Sequence, residues 1–158
     1  MNVLPTLLHT ERDWSALIMR LTLGIMILPH GAQKLLGWFG GFGFANTMAF
    51  FTDTMGIPWL LALAAILTEF FGGVALLAGF GTRVSAAFVM VVMGVAMFTT
   101  HLQHGFFMNW FGNQSGEGVE FFILAIGLAI AIMLRGGGSL ATDSFLYNQL
   151  FIQQGEPV

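Results

Sequence analysis

Charged side chains are scarce in this sequence. Of 158 residues, 8% are charged and 56% are hydrophobic, and the chain holds 5 basic and 8 acidic side chains. A water-soluble domain carries about a quarter charged residues, because its surface has to be hydrated. So few charges cannot cover a soluble body of this size. We therefore expect most of the surface to face lipid.

Cysteine is absent. Without it the chain cannot hold a thiol–disulfide active site, a cysteine-ligated zinc or iron–sulfur centre, or a covalently attached c-type haem. Basic residues are too few to form a patch, so we expect no nucleic-acid partner. The glycines between residues 37 and 43 neither follow a strand nor open a Walker-type motif, which argues against a nucleotide site.

Four apolar stretches follow one another along the chain. They cover approximately residues 14–36, 57–80, 84–100 and 119–134, and the polar segment before the first lacks a signal-peptide cleavage site. A bilayer core needs about 20 helical residues, so the last stretch is short and would start in the interface or in a thinned bilayer. The sequence predicts an all-α, multi-pass membrane protein in which residues 1–158 form a single domain, a bundle of four transmembrane helices.

The turns and the positive charges predict the topology. Residues 79–83 form a tight turn, so the second and third helices should be antiparallel neighbours. Arg12, Arg83 and Arg135 share one face of a four-span bundle, while Lys34 lies near the other face. The positive-inside rule then places both termini in the cytoplasm.

The remaining connections are rich in glycine and aromatic residues. Residues 37–56 and 101–118 carry aromatic side chains at a density that suits the headgroup belt of a membrane. Residues 144–154 alternate apolar and polar side chains, which favours a tail, residues 139–154, that lies along the interface. A frayed end is the alternative for that tail.

Two ionisable residues are predicted inside the membrane. At 1.5 Å per residue, Arg20 lies about 9 Å into the first helix and Glu69 about 16 Å from the same face in the second. Charges within a bilayer are expensive and usually face one another, so we expect an Arg20–Glu69 ion pair inside the bundle. The pair would either fix the register of the helices or serve function, by anchoring a ligand's polar head or relaying protons.

A second polar cluster is predicted at the outer face. His30 and Lys34 lie one helical turn apart, and the ends of the third and fourth helices bring further histidines and carboxylates to the same side. Such a cluster could protonate or hydrogen-bond a quinone or another small polar-headed ligand. The alternative is that each residue simply reaches water. The cluster comprises His30, Lys34, His101, His104, Glu117 and Glu120.

The histidines offer incomplete ligand sets for a metal or a haem. His101 and His104 have a spacing that zinc could use, but no third ligand stands at a suitable distance along the chain. His30 and His101 could clamp a b-type haem between the first and third helices, although both lie near helix ends. We therefore expect no metal site, and among cofactors we favour a quinone over haem.

These motifs together resemble the DoxX family of bacterial four-helix membrane proteins over nearly the whole chain. The match is carried by the order and spacing of its pieces more than by any single piece. The pieces are Arg20 with Gly24, residues 30–35, Glu69 with Gly72 and Gly73, residues 79–83, 104–110 and 116–120, and residues 136–140 with Asp143.

The resemblance implies a redox-associated protein of the bacterial inner membrane. Relatives in that family include a subunit of thiosulfate:quinone oxidoreductase and proteins linked to quinone or thiol stress. Since cysteine is absent here, any thiol-linked role would use a partner's sulfur. Expected partners are membrane lipid, with a redox protein or a second copy of the chain left open.

The leading hypothesis is a redox-associated membrane protein that contacts a quinone-like ligand. His30, Lys34 and Glu120 would bind its head group, with His101 and His104 as secondary proton groups, and electrons would come from a partner or a bound cofactor. Catalytic residues are not assigned, so an oxidoreductase and a subunit of an oxidoreductase complex both stay open. The alternative is a non-catalytic scaffold or partner subunit, or a transport component.

Overall fold

The computed structural model describes residues 3–152, and over that range the backbone forms helices and turns without a strand. This confirms the predicted all-α fold. Residues 153 and 154, the end of the predicted interfacial tail, lie outside the described range. The helices are α1 (Val3–Leu8), α2 (Trp14–Leu36), α3 (Gly43–Ala49), α4 (Trp59–Ala78), α5 (Thr82–His104), α6 (Glu120–Arg135) and α7 (Thr142–Tyr147).

Several helices change their winding along their length. α4 contains a π segment at Thr68–Gly72, and α5 closes with a π turn at Met97–His101 and a 3₁₀ turn at Leu102–His104. α3 continues as a π turn at Phe50–Thr54, and α7 as another at Asn148–Ile152. A π turn inside an α-helix re-aims the side chains around it and is frequent at functional sites. The π segment in α4 is therefore a candidate position for a functional site.

Membrane-crossing length is met by α2, α4 and α5. They have 23, 20 and 23 residues and mean hydropathies of 1.4, 2.2 and 1.8, so each is long and apolar enough to span a bilayer. α6 has 16 residues, fewer than the about 20 that a full crossing needs. The described residues thus hold three candidate spans, and the fourth crossing stays a prediction. α5 also begins before and ends after the predicted stretch 84–100, because its winding continues into polar residues.

α2, α4, α5 and α6 pack around one hydrophobic core. Side chains on their other faces are exposed, among them Ile25 at 63% and Phe98 at 67%, which is the pattern expected where helices face lipid. α6 packs against both α5 and α2, and so closes the bundle. The fully or largely buried core residues are Leu23, Ile27, Leu76, Ala86, Val89, Met93, Phe122, Ala125, Ala129 and Ile132.

Two glycines bring α2 and α4 into close contact. A Cβ added to Gly31 would lie 2.6 Å from the carbonyl carbon of Glu69, and one added to Gly73 would lie 2.9 Å from the Cα of Leu28. Small residues at helix contacts allow membrane helices to approach at this distance. The contact holds the π segment of α4 directly against α2.

Gly31→Ala should therefore destabilise the protein by about 1–3 kcal/mol, because its methyl group would meet backbone rather than a flexible side chain. The matched control is Gly127→Ala on α6, where an added Cβ has nothing within 4 Å. That variant should be neutral, or more stable by up to about 1 kcal/mol, since alanine favours helix. Unfolding in mixed micelles, followed by circular dichroism, measures both. Equal stability of the two variants would contradict the close contact.

Asp143 ties the turn between α4 and α5 to the segment after α6. Its side chain is buried, and its two oxygens accept the N–H groups of Gly81 at 2.7 Å and Thr82 at 2.8 Å. These bonds satisfy free N–H groups at the start of α5. The turn is as short as the sequence predicted. Gly79 and Gly81 adopt left-handed backbone conformations, which allow the chain to reverse within so few residues. α4 and α5 are therefore antiparallel neighbours.

Asp13 caps α2 at the same end of the bundle. Its Oδ1 accepts the N–H groups of Ala16 and Ser15, and its Oδ2 lies 3.9 Å from the Nε of Arg135. The hydrogen bond from Ala16, together with the one from Ser15, holds the pKa of Asp13 below its ordinary value. We call this end of the bundle the arginine end; it holds Asp13, Arg20, Arg83, Arg135 and Asp143. Its placement in the cytoplasm stays a prediction.

Candidate functional site: a buried ion pair beside a π segment

Arg20 and Glu69 are both buried, with 1% and 5% of their surface exposed, but the predicted ion pair between them is wrong. Glu69 pairs instead with Lys34. Arg20 bonds to backbone carbonyls of α4 and of the segment after α6. The two residues therefore belong to different polar groups at different depths in the bundle.

The Arg20 guanidinium serves four carbonyl groups. Its Nη1 donates to Leu76 and Leu77 at 2.8 and 2.7 Å, in the last turn of α4. Its Nε donates to Gly137 at 2.9 Å and its Nη2 to Ser139 at 3.3 Å, in the segment after α6. The last carbonyls of a helix have no N–H partner further along that helix. The carbonyls at the end of α4 lie at the same depth in the bundle as Arg20, which donates to them. Arg20 is thus a clamp between α2, α4 and the chain after α6.

Lys34 and Glu69 form the ion pair inside the bundle. The Lys34 Nζ lies 2.5 Å from Oε2 of Glu69, and the side chains are 27% and 7% exposed. Lys34 comes from the last turns of α2, while Glu69 comes from the π segment of α4. A carboxylate this deeply buried needs a charged partner, because an unpaired one would pay a large desolvation cost. Lys34 is that partner, and its partly exposed ammonium keeps further donors available.

The π segment and Gly31 explain how Glu69 reaches Lys34. The wider winding at Thr68–Gly72 carries Glu69 to the α2 side of α4, and Gly31 has no side chain to keep the helices apart. Lys34 lies three residues beyond Gly31 on α2, so its side chain passes over the point of contact. The sequence therefore builds the pair from a glycine, a π turn and a lysine at one crossing of two helices.

His30 lies beside this pair. It is exposed, stands one turn before Lys34 on α2, and interacts electrostatically with both Lys34 and Glu69. Its ring centroid lies 6.1 Å from that of Phe121 on α6, in an edge-on arrangement. We call His30, Lys34 and Glu69 the ion-pair site. It can donate hydrogen bonds, hold a proton and balance charge within an apolar bundle.

The other predicted histidines bond elsewhere. The His101 ring stacks on Phe122 at 4.3 Å between centroids, and its Nδ1 lies 2.9 Å from the carbonyl oxygen of Glu117. The His104 Nδ1 lies 3.1 Å from the hydroxyl of Ser115. Both rings thus support the connection between α5 and α6.

Glu117 and Glu120 also support that connection. Glu117 accepts the backbone N–H of Asn109 at 2.6 Å, and Glu120 accepts the N–H of Met108 at 2.9 Å and the indole N–H of Trp110 at 3.1 Å. The six-residue outer cluster therefore divides. His30 and Lys34 join Glu69, whereas the remaining four shape the connection between α5 and α6.

Two features escaped the sequence reasoning. One is the pairing of Lys34 with Glu69, for which the available signal was Gly31, because a glycine on the His30–Lys34 face indicates a close helix crossing. The other is the cap formed by Asp143. Over residues 3–152, no group of three or more histidine, aspartate or glutamate side chains is arranged as a metal site would require.

Comparisons with known proteins agree on one family. The family model described as DoxX matches residues 15–102, a range that contains the whole ion-pair site. The Inner membrane protein YqjF of Escherichia coli (strain K12) is 29% identical over 139 residues, which cover 85% of this chain and 93% of that protein. The protein named "Putative oxidoreductase CatD" of Bacillus subtilis (strain 168) is 30% identical over 132 residues, 83% of this chain and 86% of that protein. No solved structure matches the chain.

Proposed function

The chain belongs to the DoxX family, and from that premise we propose that it is a redox-associated inner-membrane protein whose ion-pair site binds the polar head of a quinone-like ligand. The observation that carries the proposal is a buried carboxylate paired with a partly exposed lysine in an apolar bundle. Ionisable residues at such a position mark functional sites by default, because their burial is expensive.

The donor set of the ion-pair site suits a ligand with carbonyl oxygens. The Lys34 ammonium has three N–H donors, of which one is bonded to Glu69. The His30 imidazole, one helical turn away, adds a further hydrogen-bonding group. Glu69 balances the positive charge, so the site can donate to a neutral ligand without holding an uncompensated cation. Two acceptors on a flat, apolar ring match these donors, and a quinone head has that chemistry.

The surroundings of the site favour a ligand dissolved in lipid. His30 is exposed beside the aromatic ring of Phe121, and apolar side chains cover the outer surface of the same helices. A membrane-soluble head group can therefore reach Lys34 from the bilayer side. The name of the B. subtilis relative describes an oxidoreductase, which supports a redox setting for such a ligand.

Protons and electrons have separate sources in this proposal. Reduction of a quinone takes up two electrons and two protons. The exposed His30 can pass protons taken from water to the ring oxygens, while the Glu69 carboxylate stays paired with Lys34. Electrons come from a partner protein of the redox class. The chain then acts as the quinone-binding part of an oxidoreductase assembly.

The proposal is tested by quinone binding in lipid nanodiscs. Titration with a short-chain ubiquinone analogue, followed by tryptophan fluorescence, should saturate for the wild type. Lys34→Met and Glu69→Gln should each weaken binding by about tenfold, the effect of one charge-assisted hydrogen bond. Glu11→Gln, an exposed change of the same kind outside the spans, should leave binding unchanged. Mass spectrometry of lipids extracted from the purified protein provides an independent measurement of bound quinone.

Equal binding by the wild type and both ion-pair variants would contradict the proposal. So would the absence of saturable binding when circular dichroism shows intact helices. Either result would favour the alternative of a scaffold, partner subunit or transport component.

A further inference from the structure

A second polar site lies at the arginine end, far along the bundle from the ion-pair site. It is an open groove of about 270 Å³ between α1, α7 and the start of α5. This volume falls just below the range of about 300–1,000 Å³ typical of pockets for whole small molecules, so it suits a head group rather than a complete ligand. The groove is lined by Pro5, Thr6, His9, Arg83 and Tyr147.

Arg83 supplies the charge of the groove. Its Nη1 donates to the carbonyls of Met133 and Leu134, and its Nη2 donates to the carbonyl of His9 at 3.2 Å. Its Nε is buried and has no hydrogen-bond partner within the described residues, which leaves one Nη2 N–H of Arg83 for a ligand. Among the carboxylates that the structure describes, none forms an ion pair with Arg83. The guanidinium is thus held in place by neutral groups, and its positive charge has no counter-ion among residues 3–152.

The other lining residues suit an oxyanion. The hydroxyl of Thr6 and the imidazole of His9 can donate hydrogen bonds, and the His9 ring rests edge-on against Tyr147 with 5.2 Å between centroids. Tyr147 brings a phenol to the same groove. A phosphate group offers acceptors to the remaining Nη2 N–H of Arg83 and to the hydroxyl and imidazole donors, and its negative charge is attracted by the guanidinium.

The elements around the groove place it at a membrane surface. α1 and α7 are short helices that pack against each other, and each presents an exposed apolar side chain, Leu4 at 52% and Phe145 at 61%. Amphipathic helices that lie in the plane of the membrane interface hold their apolar side chains at the boundary with the head groups, and we infer that α1 and α7 lie there. Basic pockets at this depth, between membrane helices, bind anionic head groups.

We propose that the Arg83 groove is a binding site for a phosphate group, supplied by the head group of an anionic phospholipid. The lipid would complete the charge balance of Arg83 and join α1 and α7 to the bundle. This site is independent of the quinone-like ligand, since it shares no residue with the ion-pair site.

The single tyrosine of the chain offers a direct test, because Tyr147 lines the groove. Protein labelled with fluorotyrosine gives one fluorine NMR resonance, measured in phosphatidylcholine nanodiscs with increasing fractions of phosphatidylglycerol. The resonance should shift and saturate as the anionic lipid is added. Inorganic phosphate, added to nanodiscs of phosphatidylcholine alone, should cause a weaker shift in the same direction. If free phosphate alone saturates the resonance and the lipid does not, the lipid source is wrong.

Variants distinguish lipid binding in the groove from a general attraction of anionic lipid to positive surface charge. Arg83→Gln should weaken the lipid effect by about tenfold or more, the effect of losing one charge-assisted hydrogen bond inside a site. Arg12→Gln also removes one positive charge, but at a residue that does not line the groove, so it should change the lipid effect little. Thr6→Phe fills the groove at an exposed position while keeping Arg83, so it tests the site even if Arg83→Gln fails to fold. An unchanged response in Thr6→Phe, an equal loss in Arg12→Gln, or no shift with either phosphate source would overturn the proposal.

Discussion

We expect Arg20→Met to lower the free energy of unfolding by about 3–5 kcal/mol, because it removes several buried hydrogen bonds and leaves some of their acceptors unpaired. The substitution removes four hydrogen bonds to carbonyls of α4 and of the segment after α6. Hydrogen bonds between membrane helices average about 0.6 kcal/mol, which accounts for roughly half of the expected loss. The rest comes from the carbonyls of Leu77, Gly137 and Ser139, which lose their donor, whereas the Leu76 carbonyl keeps the N–H of Gly79. Sodium dodecyl sulfate titration in mixed micelles, followed by circular dichroism, measures the change.

Two further variants separate geometry from charge at Arg20. Arg20→Lys keeps the positive charge, but its single nitrogen cannot reach carbonyls on both sides of the guanidinium. It should therefore recover only a minor part of the stability. Arg12→Gln, an exposed change on the polar segment before α2, should stay within about 0.5 kcal/mol of the wild type. A stability of Arg20→Lys equal to the wild type would show that charge, not the clamp, is what matters.

The Lys34–Glu69 pair should show strong coupling in a double-mutant cycle. Lys34→Met alone leaves a buried carboxylate and Glu69→Gln alone leaves a half-buried ammonium, so each should cost about 3 kcal/mol. The double variant Lys34→Met/Glu69→Gln removes both charges and should cost less than the sum of the two by about 2 kcal/mol. The same unfolding measurement on all four proteins gives the coupling energy.

The control cycle pairs Lys34→Met with Glu117→Gln. Glu117 bonds to the connection between α5 and α6 and not to Lys34, so this cycle should be additive within about 0.5 kcal/mol. Coupling of similar size in both cycles would mean that general electrostatics explains the effect. Additivity in the Lys34–Glu69 cycle would contradict the ion pair itself. Neither result depends on quinone binding, so the pair is tested apart from its proposed function.

The fold follows from the sequence to a large extent. Low charge and the apolar stretches predicted helices in a membrane, and α2 begins and ends at the predicted residues 14 and 36. The turn at residues 79–83 was predicted from its glycines. These features are local, because each depends on the residues within one helix or one turn.

The pairing of charges was not accessible in the same way. Depth along two helices placed Arg20 and Glu69 within reach, but depth does not give the rotation of one helix about its axis. The π segment changes that rotation next to Glu69, and the apolar pattern of α4 carries no sign of it. The sequence also did not show that the end of α4 offers carbonyls to Arg20. Buried charge was therefore predicted correctly, while its partners were not.

The contacts of Arg20 also bear on the order in which the protein is made. Its acceptors in Gly137 and Ser139 lie 117 and 119 residues further along the chain. During synthesis, α2 enters the bilayer long before those residues leave the ribosome. Nascent α2 must therefore keep its guanidinium hydrated at the membrane surface, or sheltered by the insertion machinery, until residues 137–139 arrive. Docking of that segment and release of this arginine from water are then one event.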